Sequence, residues 1–405
     1  MAQLHFTLDH EFFVGLMCDT KDEAFGKLMK ALLDQVLMAE SKEQLGAGSY
    51  ERSGERMDYR NGTRERSMGL RIGKITLAVP RHRNAPFKTA LFESYQRNEQ
   101  ALISTMMEMV VQGVSTRKIS RVTEELCGMS FSKSMVSEIC KEMDVALADF
   151  RERRLHTKYP FVLVDAMYIK VRQDGKVRSR GILWAMGINL EGKKELLGIK
   201  LCEEETKESW TAFFERLKAR GLAHVDVITS DAHSGLVPAI KECFEGSTWQ
   251  RCQFHFQRNL LDKAPKKYQV AIAAEVRKMF ETSSIDAARR LRDEIIKEYE
   301  EVAKSSMAVL DEGFEDAMAV MALPSKYRKV LRTTNMVERE NKEIRRREQV
   351  ISIFPNEDSA VRLITAVLMD RHETWQSRSR TFDMQEYLEN RIIFKRSMAE
   401  QQLVA

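Results

Sequence analysis

Three carboxylates stand where an apolar run ends or a basic helix begins. "FVLVD" ends in Asp165, "VITSD" ends in Asp231, and "TTNMVERENKEIRRR" carries Glu338 ahead of a row of cations. The first two runs read as strands of an α/β sheet, and strand ends are where such sheets expose side chains on rigid backbone. If those strands are neighbours, two anions meet, and they raise each other's pKa unless a cation stands between them. Magnesium or manganese takes oxygen donors of this kind and keeps positions open for phosphate oxygens. With a third acid the pair can hold two ions, which activate a nucleophile and stabilise a leaving oxygen in phosphoryl transfer. Plainer roles stay open at this point. Asp231 could cap the helix of "AHSGLVPAIKECF", and Asp165 could close a turn.

The third acid sits in a stretch with six basic residues and three glutamates, Leu331 to Arg347. Asn335, three residues before Glu338, fits a capping arrangement at a helix start. Yet Glu338, Asn341, Lys342, Arg345 and Arg346 share one helical face, an acid in the first turn and cations beyond it. Asn341, Lys342, Arg345 and Arg346, together with Arg347, are therefore expected to bind DNA phosphates around the reacting one. Glu340 and Glu343 fall off this stripe. His233, two residues after Asp231, is expected in a first helical turn, donating to a phosphate oxygen or a water. "CQFH" sets Cys252 and His255 at the end of another strand. Zinc wants four ligands and the sequence completes no such set, so the pair reads as a packed thiol and a hydrogen-bonding His that support the site.

The elements that must position these groups follow from periodicity. "YPFVLVDAMYIKV", "RGILWAMGINL" and "KELLGIKLCE" are strands parted by the turn formers "RQDGKVRS" and "EGKK", which predicts an antiparallel meander. The helix "KESWTAFFERLKARG", the strand "HVDVITSD", a further helix and the strand "STWQRCQFH" complete an α/β layer fold. Beyond Phe256 the pattern turns helical. "SIDAARRLRDEIIKEYEEVA" puts Ile285, Ala288, Leu291, Ile295, Tyr299 and Val302 on one face with Ser284 as cap. Ahead of the sheet, residues 1 to about 45 read as helical. "GAGSYERSGERMDYRNGTRER" follows as a polar connector, then two short extended runs. "STRKISRVTEEL", "CGMS" and "FSKSMVSEICKEM" make a helix-turn-helix pattern whose second helix offers Lys133, Ser134 and Ser137 to a DNA groove.

Composition narrows the class. At 405 residues, 43% apolar and 31% charged, the chain has material for two or three domains of a soluble, core-forming protein. The net charge of +5 is modest, but nine Lys/Arg against four acids between Glu51 and Arg83 make a local polyanion footprint. Six scattered cysteines without a CxxC pair argue against a disulfide scaffold or a zinc finger. No secretory signal or membrane-spanning run is evident, so a cytoplasmic protein is expected.

Taken in order, "VDAMYIKV", "TSDAHSGL", "CQFHFQRN" and "TTNMVERENKEIRRR" resemble the bacterial insertion-sequence transposases of the Mutator superfamily, over essentially the whole chain. The resemblance implies a ribonuclease H-like core with a mixed five-stranded sheet, and Asp165, Asp231 and Glu338 as an Asp-Asp-Glu triad using two Mg2+ or Mn2+ ions. It also implies an all-helical insertion. The expected divisions are 1–100, helical with a small β region; 101–150, helix-turn-helix-like; 158–256, first part of the core; 257–331, the insertion; and 332–405, the rest of the core. The implied reaction cuts DNA at the ends of an element and transfers the 3′-hydroxyl ends to target DNA. The partners would be the terminal inverted repeats, target DNA and a second copy of the chain at least. Two alternatives remain: a non-catalytic helix-turn-helix regulator, and a nuclease of the same fold that only hydrolyses.

Overall fold

Alternating apolar residues write the first hairpin. In the computed structural model, which describes residues 6–19, 21–48, 50–52, 54–70, 73–91, 100–127 and 129–403, strand β1 (Arg60–Leu70) pairs antiparallel with β2 (Gly73–His82). Met68, Leu70, Ile75, Leu77 and Val79 are buried with Leu37 of the long helix α2 (Lys21–Leu45), while Arg64 and Lys74 stay exposed. Strands of period two put alternate residues on one face, and that face is the small core here. The last third of the expected polar connector is therefore strand, since β1 begins at Arg60. Its polar residues lie in the part of β1 that does not meet the apolar cluster, which is why they read as loop.

The same unit, Met1–Glu142, holds α1 (His10–Cys18) ahead of α2, and α3 (Gln100–Val111), α4 (Thr116–Cys127) and α5 (Lys133–Lys141) after the hairpin. Ser132 caps α5 by accepting from Met135 N–H at 3.2 Å. Val136 and Ile139 are buried, whereas Lys133, Ser134 and Ser137 are exposed. Gly128, the expected turn glycine between α4 and α5, lies outside the described residues.

The second unit, Met143–Ala405, begins with α6 (Asp144–Glu152) and builds a five-stranded sheet. Strands β3 (Lys158–Gln173), β4 (Lys176–Ile188) and β5 (Lys194–Cys202) form an antiparallel meander, as the short links predict. The β3–β4 link is the two-residue turn Asp174-Gly175, with φ of 49° and 75°. Two successive positive φ values match the twist of a tight hairpin, and Asp-Gly adopts them at least cost. Helix α7 (Lys207–Ala219) crosses to β6 (His224–Ser230), and α8 (Leu236–Cys243) leads to β7 (Thr248–Arg251). Both late strands run parallel, β6 beside β3 and β7 beside β6, giving the order β5-β4-β3-β6-β7.

Trp210, Phe213, Phe214 and Leu217 of α7 and Leu236 and Ile240 of α8 form one core with Val162, Val164, Leu183 and Ala185 of the sheet. By alternation Phe161, Leu163 and Asp165 face the other way. On that second face Phe161 meets the rings of Tyr327, Phe382 and Tyr387. The helices after β7 are α9 (Gln253–Asp262), α10 (Lys266–Phe280), α11 (Ile285–Tyr299), α12 (Lys304–Met318) and α13 (Ser325–Leu331). They carry a core of their own around Phe256, Leu260, Ile272, Val276, Ile295, Leu310 and Phe314. Ser284 caps α11 as its sequence suggests, accepting from Ala287 N–H. Val302 does not join its stripe, because the helix has already ended and the residue is exposed. The chain closes with α14 (Asn335–Ile351), α15 (Glu357–Ser377) and α16 (Gln385–Leu403). Trp375 of α15 is buried and packs as a core residue.

Candidate functional site

The parallel pairing of β3 with β6 runs through Leu163↔Thr229. Two residues further along each chain come Asp165 and Asp231, so the register sets both acids at the same level of neighbouring strands. A one-residue slip would turn one of them to the opposite face. Asp231 is held from behind. Ser230 Oγ donates to Asp231 O at 2.7 Å and itself accepts from Trp249 Nε1 at 2.9 Å. Asp231 does not cap α8, which begins five residues later at Leu236 with Gly235 ahead of it.

Burial raises the Asp165 carboxyl to about 7, and repulsion from Asp231 adds to the rise. Its hydrogen-bond partners are neutral: its own neighbour Ala166 N–H at 2.9 Å, and Asn341 Nδ2 at 2.6 Å. Asn341 is fixed in turn by Trp184 Nε1, which donates to its Oδ1 at 3.0 Å. Trp184 is the cross-strand partner of Asp165 on β4. That geometry corrects the expectation for Asn341, whose amide is spent on the acid and not on DNA.

Glu338 lies on the first turn of α14, three residues before Asn341, so the two share one helical face. Asn341 on that face reaches Asp165, which stands midway along β3 and not at its end as the apolar run suggests. Asn335 is the first helical residue and not its cap; Thr334 stands in the cap position. Thr334 Oγ1 donates to Glu338 Oε1 at 3.2 Å, and His255 Nε2 lies 3.9 Å from the same oxygen. His255 feels the charge of both Asp231 and Asp165. A hydrogen bond to Cys252 raises it to about 9 against the cost of burial, with help from Asp231 and Asp165. For Cys252, burial would push the thiol up, but hydrogen bonds with His255 and Thr334 outweigh it and the net shift is downward. Cys252 directly follows β7, as expected, and stands at the cap position of α9, while His255 lies in the first turn of that helix.

His233 precedes α8 and does not lie in its first turn. Its Nδ1 sits 3.3 Å from Glu205 Oε1 and accepts from Gly235 N–H at 3.3 Å. Glu205 is a fourth acid that sequence reasoning missed. It also accepts from Trp210 Nε1 at 3.1 Å. Burial raises its pKa, and Asp231 contributes to the rise. In "CEEET" it is one of three consecutive glutamates, and only the fold turns this one inward.

The basic face of α14 divides. Lys342, Arg345 and Arg346 are exposed. Arg345 donates to Tyr168 O at 2.6 Å and pairs with Glu348, and Arg346 pairs with Glu343. Arg347 is 4% exposed and pairs with Glu343, so it is a structural arginine and cannot reach a phosphate outside. Glu340 is buried against Arg371, at 2.7 Å.

A sequence profile described as "Transposase, Mutator family" matches residues 1–378. The transposase for insertion sequence element IS256 in transposon Tn4001 of Staphylococcus aureus is 42% identical over 386 residues, 94% of this chain and 99% of that protein. The transposase for ISRM5 of Rhizobium meliloti is 39% identical over 92% of this chain and 94% of its own length. That for IS1081 of Mycobacterium tuberculosis is 36% identical over 89% and 88%. The chain belongs to the Mutator family of transposases. Among the described residues no helix is long and apolar enough to cross a membrane.

Proposed function

We propose that the chain is a metal-dependent DNA strand-transfer enzyme with a ribonuclease H-like core, acting at the ends of an insertion sequence and on target DNA. The observation that carries this reading is the register of β3 and β6, which brings Asp165 and Asp231 level, with Asn341 of α14 bonded to Asp165 and Glu338, one turn earlier on that helix, 3.9 Å from His255. The sheet order, an antiparallel meander whose first strand is followed by two parallel strands, supports the core assignment. Membership of a transposase family supports the substrate.

The donors fit a hard divalent ion. Asp165 and Asp231 offer carboxylate oxygens, the hydrogen-bond partners of Asp165 are neutral, and their mutual repulsion is relieved by a cation between them. Asp165, Asp231 and Glu338 would hold two Mg2+ or Mn2+ ions, which supply an activated nucleophile and a stabilised leaving oxygen. The chain's own residues do the positioning. Asn341 fixes one carboxylate oxygen of Asp165, and Thr334 orients Glu338. Lys342, Arg345 and Arg346, exposed along α14, offer charge to the flanking phosphates. Lys133, Ser134 and Ser137 on the exposed start of α5 are suited to reading the terminal repeats. In the first step a water oxygen bonds to the phosphorus at the element end and the 3′-oxygen leaves as a hydroxyl. That oxygen then bonds to a target phosphorus and releases the target's own 3′-hydroxyl, so no oxidant or nucleotide is consumed. Joining two ends requires at least a dimer.

The test is cleavage and strand transfer on a supercoiled plasmid carrying the element ends, with Mg2+ or Mn2+. Asp165→Asn, Asp231→Asn and Glu338→Gln should each abolish cutting and leave end binding intact. Cutting retained in any variant removes that residue from the triad. Binding without cutting in the unaltered protein would make it a regulator, and cutting without joining a nuclease.

A further inference from the structure

Beside the carboxylate cluster lies a second set of donors of different chemical character. Cys252, His255 and Glu338 each present one ligand atom, all within 4.8 Å of one another. A tetrahedral zinc site with Zn–S near 2.3 Å and Zn–N near 2.0 Å spaces its donors on the order of 3.5 Å apart, so a small contraction closes this set. Two further observations point to an ion. The sulfur of the fully buried Cys252 accepts from Thr334 N–H at 3.4 Å, the outer hydrogen bonding that supports a metal-bound thiolate, and Thr334 Oγ1, whose one proton serves either this sulfur or Glu338, lies 3.3 Å from it. The Nδ1 of His255 is buried and has no hydrogen-bond partner, and a buried polar atom of that kind calls for a bound group.

We propose that Cys252, His255 and Glu338 bind one zinc-type ion, separate in chemistry from the hard ions of the acid pair. Thiolate and imidazole select zinc or cobalt over magnesium, and three protein ligands leave a fourth position for water. Glu338 is shared. Its Oε1 faces Thr334 and His255, leaving Oε2 for the neighbouring site. The ion would clasp the two points where the chain enters and leaves the helical segment α9–α13. There Gln253 N–H already donates to Arg332 O at 2.9 Å. The proposal does not depend on strand transfer, because it is read without DNA and without catalysis.

The experiment strips the purified full-length protein with a chelator and titrates it with Co2+. One ion per chain should bind with tetrahedral ligand-field bands and a thiolate-to-cobalt charge-transfer band, displaced by Zn2+ and not by Mg2+. Cys252→Ser should lose the charge-transfer band. His255→Gln and Glu338→Gln should each weaken binding roughly 10- to 100-fold, while Asp165→Asn and Asp231→Asn keep the spectrum. Circular dichroism checks that each variant is folded. Absence of a charge-transfer band in the unaltered protein overturns the proposal whatever the variants do. So does a band that survives in Cys252→Ser, or affinity unchanged in Glu338→Gln. Failure of Mg2+-dependent cutting leaves these spectra untouched, so the two readings fail separately.

Discussion

At the scale of single residues, the fold gives similar side chains opposite tasks by choosing their surroundings. His255 is pushed upward by its neighbours, whereas burial lowers His372 to about 4, with Arg153 adding to the effect. His372 Nδ1 accepts from Leu196 N–H at 3.3 Å, which the neutral ring can do and the charged ring cannot. Because the folded pKa lies below the ordinary 6.5, the unfolded chain takes up the proton first as pH falls. This contribution to stability is therefore complete above 6.5 and is lost as pH falls toward about 4. Urea unfolding across that range should show a smaller loss for His372→Gln than for the unaltered protein. An equal loss would assign the acid sensitivity to other groups.

At the scale of elements, α14 joins the site to the sheet through one amide. Asn341 links Trp184 of β4 to Asp165 of β3, so helix and strands are held in one relation at the point where Glu338 must approach. Asn341→Leu keeps the branched shape of the side chain and removes both hydrogen bonds. Loss of an outer partner of a metal ligand commonly costs roughly 10- to 100-fold in activity. Cutting with Mg2+ should fall by that much, with end binding within about twofold of the unaltered protein. A parallel fall in binding would restore Asn341 to the DNA-contacting face. The pattern that predicted this face was sound in its period, and it found both Glu338 and Asn341. It could not tell that Arg347 turns inward, because a stripe drawn from spacing shows which residues share a side and not where the neighbouring helix lies.

At the scale of the whole second unit, Met143–Ala405, the last helix is pinned to the sheet through a buried charge. Asp226 of β6 is 1% exposed and accepts from Arg391 Nε and Nη2, both at 2.6 Å, and from Tyr387 Oη at 3.0 Å, with Lys395 at 3.3 Å. Burial would raise this carboxyl, but Arg391 and the other partners outweigh it and hold it low. Removing one partner of a buried pair leaves a charge uncompensated and costs about 3 kcal/mol or more. Arg391→Ala should therefore lower the urea midpoint clearly, whereas Arg396→Ala, on an exposed pair with Glu400, should change stability by less than about 1 kcal/mol. Equal effects would show that α16 is held by its aromatic contacts alone.

What the amino-acid sequence determined by itself was local and periodic: the meander with its Asp-Gly turn, the capped helix at Ser284, the acid that directly follows β6 and the acid on the first turn of a basic helix; Asp165 stands instead midway along β3, which runs on to Gln173. Each rests on short-range rules of alternation, capping and turn chemistry that a few neighbouring residues satisfy. Only the tertiary structure decided that Glu205 stands beside His233, that Arg347 is buried, and that Cys252 and His255 lie beside Glu338. Those relations join residues between 4 and 86 positions apart. They are fixed by burial and by which helix packs on which strand, and no local pattern carries that information.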